Sequence, residues 1–183
     1  MLNISKEFVE RWSDEYDKRS DEHIEVKVER EIRDWLAKQH EPKYLDKEHF
    51  VKLGWWKSRR QINNYKANPE ILIKEATRLA YEASDKKPKL HILQILKGVQ
   101  VPVASTILHF LHPNKFPIFD IHVRVSLKNA GKWKKSTDDA SAEAWLEYID
   151  LMRGLSNQLG VSLRDLDKAL WAYDKWGTKT QNE

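Results

Sequence analysis

Apolar residues recur every three to four positions along most of the chain, the period of helices that bury one face. Phe8, Val9, Trp12 and Tyr16 predict a first helix, and Ile24, Val28, Ile32 and Trp35 predict a second. Ile24, Val26 and Val28 also alternate as a short strand does, but the helical period holds over the longer window. Asn68-Pro69-Glu70 predicts a helix start with Asn68 as the cap, a buried face at Ile73, Ala76, Leu79 and Ala80, and an end near Ser84. Ser136-Thr137-Asp138-Asp139 and Ser162-Leu163-Arg164-Asp165 have the form of helix caps with an acid in the first turn. The second opens a helix predicted to bury Leu166, Leu170 and Tyr173, while Trp145, Tyr148, Ile149, Met152 and Leu155 form the stripe of the helix before it.

The stretch from Leu96 to Val123 carries the most chemistry. Leu90, Ile92, Leu93, Ile95 and Leu96 load the apolar face of a short helix, and Gly98 follows where the chain needs a residue that tolerates positive φ. Pro102 suits the first turn of the next helix, which continues through Ala104, Ile107, Leu108 and Leu111. Such a hairpin presents backbone N–H groups at a helix N-terminus, a place to hold a phosphate, although a plain αα-hairpin that only packs fits the same pattern. Further on, Asp120 precedes Ile121-His122-Val123-Arg124 as an N-cap would.

Leu96-Lys97-Gly98-Val99-Gln100-Val101-Pro102-Val103-Ala104 resembles the helix-hairpin-helix motif of the base-excision DNA glycosylases, and Phe119-Asp120-Ile121-His122-Val123 resembles the aspartate motif that follows it in that superfamily. The resemblance is strong over Ile92–Leu127 and weak, as an all-helical pattern, elsewhere. Pro102 stands eighteen residues before Asp120, where lyase-active members carry a catalytic lysine, and Gln100 stands where the second hairpin glycine is usual. The resemblance implies an all-α, helix-hairpin-helix glycosylase-like fold: one domain over 1–183, a compact unit of two helical lobes, with the hairpin at 90–112 and the acid-bearing helix start at 118–129. It implies that Lys97, Gly98, Val99 and Gln100 contact DNA. Without an amine nucleophile at Pro102, base removal would proceed by water and without strand cleavage. Asp120 would stabilise the positive charge that develops on the sugar or activate the water, and capping the next helix does not exclude this. His122 and Arg124 are candidate DNA contacts, His122 having a packed ring as its alternative.

Charge sharpens the picture. Residues 51–135 hold 17 Lys and Arg against 5 Asp and Glu, whereas 1–50 hold 10 against 14 and 136–183 hold 5 against 9. A net charge of only +4 therefore hides a strongly basic middle segment containing the hairpin, as phosphate neutralisation requires, although a solvated basic face has the same composition. Within it, Trp55, Trp56, Arg59 and Arg60 are candidate DNA contacts: an aromatic ring can stack on a base while cations hold the backbone. Adjacent residues on a helix point apart, so at least one of the two tryptophans belongs to the core. Lys132-Trp133-Lys134-Lys135 repeats the pattern as a phosphate contact or a solvated linker.

Composition mostly excludes. There is no cysteine, hence no disulfide and no cysteine-ligated iron–sulfur cluster, and no nucleotide-binding loop. His109 and His112 are three apart but lack an evident third ligand, so neither metal nor cofactor is expected. No apolar run reaches membrane length and the first residues lack secretory character, so the expectation is a cytoplasmic protein whose partner is DNA, duplex and carrying damaged bases, with no membrane partner. The reading is a base-excision-repair-like, monofunctional N-glycosylase using Asp120. The alternative, suggested by Gln100 and Pro102, is a non-catalytic DNA-binding or damage-sensing protein on the same fold; a structural or protein-interaction role is the third.

Overall fold

Among the described residues, 2–20 and 24–177 without the Ser20 side chain, the computed structural model contains helices and no strand. The other positions of the expected 1–183 domain lie outside them. Numbered in chain order, the helices are α1 (Lys6–Ser20), α2 (Ile24–Ala37), α3 (Lys47–Lys57), α4 (Ile62–Lys66), α5 (Glu70–Glu82), α6 (Lys86–Gln94), α7 (Val101–Leu111), α8 (Ile121–Asn129), α9 (Ala142–Leu159) and α10 (Leu163–Ala172). A 3₁₀ turn at Arg59–Gln61 precedes α4 and a π-helical turn at Tyr173–Gly177 follows α10. The alternation at Ile24–Val28 is overridden, because only the helix puts Ile32 and Leu36 together on a buried face.

The residues divide into two units, one from 23–116 and one from 1–22 with 117–183. In the first, α2, α3, α5 and α6 all pack against α7. That surrounding explains why α7 is apolar on every side, with each residue from Val101 to Leu111 buried except Pro102. Asp46 caps α3 by accepting the His49 amide at 2.8 Å.

In the second unit α1 packs along α10, and the predicted α9 stripe of Trp145, Tyr148, Ile149, Met152 and Leu155 is buried throughout. Tyr148 donates to the Ile118 carbonyl at 2.9 Å, and Ser126 donates to the Leu170 carbonyl at 2.7 Å, tying α8 to α10. Ser162 caps α10 as expected, accepting the Asp165 amide at 3.0 Å.

Five local expectations are corrected by packing. Pro69 occupies the cap position of α5 without a side-chain bond, because Asn68 turns inward to other partners. Leu79 and Ile95 are exposed: Leu79 lies outside the α5 face that buries Ile73, Ala76 and Ala80, and Ile95 follows the last residue of α6, turned away from buried Leu90 and Leu93. Ser141, not Ser136, caps α9 by accepting the Ala144 amide at 3.1 Å, and residues 136–139 form a turn in which Asp139 accepts the Ser141 amide. Tyr173 is half-buried and opens the π turn rather than closing the core face of α10. No helix among the described residues is long and apolar enough to cross a membrane.

Candidate functional site

The hairpin between α6 and α7 turns at Gly98, whose φ is +86°, the left-handed region that glycine enters without strain. Space demands glycine as well: a Cβ there would lie 2.9 Å from Cε1 of Tyr65 and 3.0 Å from Cβ of Asn64. Tyr65 is buried and is bounded on another edge by Gly54 of α3, where a Cβ would come within 2.5 Å of Cδ2. Burial raises the Tyr65 phenol above its ordinary pKa.

Asn68 completes the support of the turn. Its Oδ1 accepts the Lys97 amide at 2.8 Å and its Nδ2 donates to the Lys97 carbonyl at 3.1 Å and to the carbonyls of Asn64 and Tyr65. Val99 closes the turn by donating to the Leu96 carbonyl, and its side chain is buried. Gln100 caps α7 by position only, its side chain making no capping bond. The amides of Gly98, Gln100, Val101 and Val103 therefore have no acceptor among the described residues, and Pro102 carries no N–H. The Lys97 and Gln100 side chains are exposed. The chain thus builds a rigid hairpin whose open groups are hydrogen-bond donors.

Of the tryptophan–arginine cluster in the same unit, Trp56 packs edge-on against Phe110 of α7, with ring centroids 5.9 Å apart. Trp55 is half-buried beneath Arg59, whose guanidinium carbon lies 4.4 Å from the ring centroid, and Arg59 also pairs with Glu25. Arg60 is exposed and has no ion-pair partner among the described residues. Histidines 109 and 112 are engaged locally: His109 binds the Phe116 carbonyl and Arg33, and His112 meets the Tyr81 carbonyl while stacking on the Tyr81 ring at 4.4 Å. Lys89, buried beside them, donates to the carbonyls of Ala80 and Tyr81, closing the C-terminus of α5.

The acid lies in the other unit. Asp120 is the N-cap of α8, half-buried, with Oδ1 accepting the His122 amide at 2.9 Å. Capping α8 is thus the role that the geometry gives this carboxylate. The His122 ring stands in the same turn, its Nδ1 2.7 Å from Oδ2 of Asp174 in the π turn and its edge against Trp171 at 6.0 Å. Arg124, 3% exposed, lies beneath the surface: it crosses the Phe119 ring at 4.0 Å and donates to the carbonyls of Asp120 and Asp139. Burial lowers its pKa from the ordinary arginine value. Of the lysine-rich segment after Gly131, Trp133 is buried against Tyr148 and Lys135 pairs with Glu147, leaving Lys132 and Lys134 exposed.

Sequence reasoning did not single out Tyr65, Asp174 or Trp171, and read Asn68 only as a cap. Asp174 lies 52 residues from His122, and Asn68 lies 29 from Lys97, separations at which no local period carries a signal. No family model, no curated protein and no solved structure matches this chain.

Proposed function

We propose that this protein binds DNA and acts in base excision as a monofunctional N-glycosylase, with Asp120 as the chemical carboxylate and no lyase step. The observation that carries the reading is the pairing, in one chain, of a glycine-turned hairpin ending in open backbone donors with an aspartate at the start of the next helix. Open N–H groups at a helix N-terminus suit a phosphate, and the surrounding basic stretch supplies charge neutralisation. Pro102 at the position of the lyase lysine argues for water as the nucleophile. In this reading the glycosidic bond breaks towards the base, positive charge grows on the sugar, and the ionised Asp120 stabilises it or takes the proton of the attacking water.

The test compares the protein with Asp120→Asn on duplexes carrying a panel of damaged bases, with abasic sites revealed by alkali. Asparagine caps a helix as well as aspartate does, so this change removes the charge and keeps α8. Base release by the parent protein and a loss of about a hundredfold or more in the variant are expected. Equal activity in both removes Asp120 from the chemistry. Salt-sensitive duplex binding without base release from any lesion selects the non-catalytic DNA-binding alternative.

A further inference from the structure

The first turn of α8 carries more titratable chemistry than one aspartate. His122 is held at Nδ1 by Asp174, at 2.7 Å, from the π-helical turn Tyr173–Gly177. Its other nitrogen, Nε2, has no hydrogen-bond partner among the described residues, and the side chain is 32% exposed. A carboxylate on Nδ1 fixes the ring's orientation and tautomer and balances the charge of an imidazolium bearing a second proton on Nε2. Trp171 of α10 buttresses the ring edge-on, and the Lys175 ammonium lies 5.6 Å over the Trp171 ring. Asp120 shares the turn, bonded to the amide of the same histidine. The groups around the ring from α8, α10 and the π turn are thus Asp120, Trp171, Asp174 and Lys175. Two carboxylates, one capping the helix start and one orienting the histidine, give the two residues different tasks. A π turn inserted where α10 could simply have continued aims Asp174 at this ring, and such turns are frequent at functional sites.

We infer that His122 is the proton donor to the departing base and Asp174 its positioning residue, an assignment that rests on the glycosylase reading of Asp120. As the C1′–N bond breaks, its electron pair goes to the base nitrogen. Nε2–H of His122 protonates the base. Water adds to C1′ and gives its proton to Asp120. Atoms and charge balance without any further reactant, and the donor is needed only when the base is a poor leaving group.

That dependence supplies the test. Single-turnover excision is measured on three duplexes, containing deoxyinosine, deoxyuridine or N7-methyldeoxyguanosine, with the full-length protein and the variants His122→Gln, Asp174→Asn and Asp120→Asn. N7-methylguanine is already cationic and leaves without a proton. His122→Gln should lose about a hundredfold or more on the two neutral bases and stay within about threefold on the cationic one. Asp174→Asn should show the same selective loss to a smaller degree, and Asp120→Asn should lose activity on every base that the parent releases. Retained excision of the cationic base also shows that the His122 and Asp174 variants are folded, and an unchanged helical circular-dichroism spectrum shows it for Asp120→Asn. Equal loss on all three duplexes, or none, by His122→Gln overturns the proton-donor role while leaving the glycosylase reading standing. A parent protein inert on all three overturns both.

Discussion

The side chain of Asn68 brackets Lys97, its Oδ1 accepting the Lys97 amide at 2.8 Å and its Nδ2 donating to the Lys97 carbonyl at 3.1 Å. Asn68 is 1% exposed, so these bonds satisfy backbone groups that water cannot reach from that side. A primary amide carries its acceptor oxygen and donor nitrogen side by side, so one side chain meets both Lys97 backbone groups. Asn68→Ala leaves both Lys97 groups without their partner and should cost about 2–3 kcal/mol, read as a lowered urea midpoint. Asn68→Asp keeps the acceptor, loses the donor and buries a charge, and should be no better than alanine.

Tyr65 is held between two glycines, and each should resist a methyl group for its own reason. Gly54→Ala meets the ring at 2.5 Å inside a helix, a purely steric conflict, whereas Gly98→Ala adds unfavourable φ to a 2.9 Å contact. Each should destabilise by about 1–3 kcal/mol in urea unfolding. Tyr65→Phe should not rescue either variant, because the conflicts are with ring carbons and not with the hydroxyl. Tyr65→Ala should relieve the Gly54→Ala clash and leave the φ strain of Gly98→Ala in place.

His112 gives the fold a pH dependence whose sign follows from its surroundings. Burial is the larger cause of its lowered pKa, and the nearby Lys89 ammonium adds to it. The folded state therefore prefers the neutral ring. Between the folded value and the ordinary value of 6.5 the unfolded chain binds more protons, so this contribution is complete above 6.5 and is lost as pH falls through it. The urea midpoint of the parent protein should drop on acidification by more than that of His112→Gln, the difference opening below about pH 6.5. A constant difference from pH 8 to pH 5 would assign the effect to other groups.

If the basic segment binds DNA phosphates, its cations should not count equally. Lys97 and Arg60 are exposed without an acidic partner among the described residues, whereas Arg59 already pairs with Glu25. Lys97→Ala and Arg60→Ala should each reduce the slope of log affinity against log salt by about 0.9 for duplex DNA, with little dependence on sequence. Arg59→Ala should change it less, because a cation that must leave a carboxylate to reach a phosphate contributes less net charge. Fluorescence anisotropy over a salt series measures all three.

Helical periodicity, the turn at Gly98, the proline entering α7 and the caps at Asp120 and Ser162 were legible in the residue order, because each depends on neighbours within one helical turn. Where two local options competed, packing chose: Ser141 over Ser136 as the cap of α9, and an inward Asn68 over a capping one. Contacts across the chain had no local signature at all. The same residue types as those on the surface place Arg124 under the Asp139 turn, and only the meeting of α8 with the π turn brings Asp174 to His122. Local backbone geometry belongs to the sequence in short windows, whereas a polar side chain takes its partner from whichever element folding brings within about 3 Å.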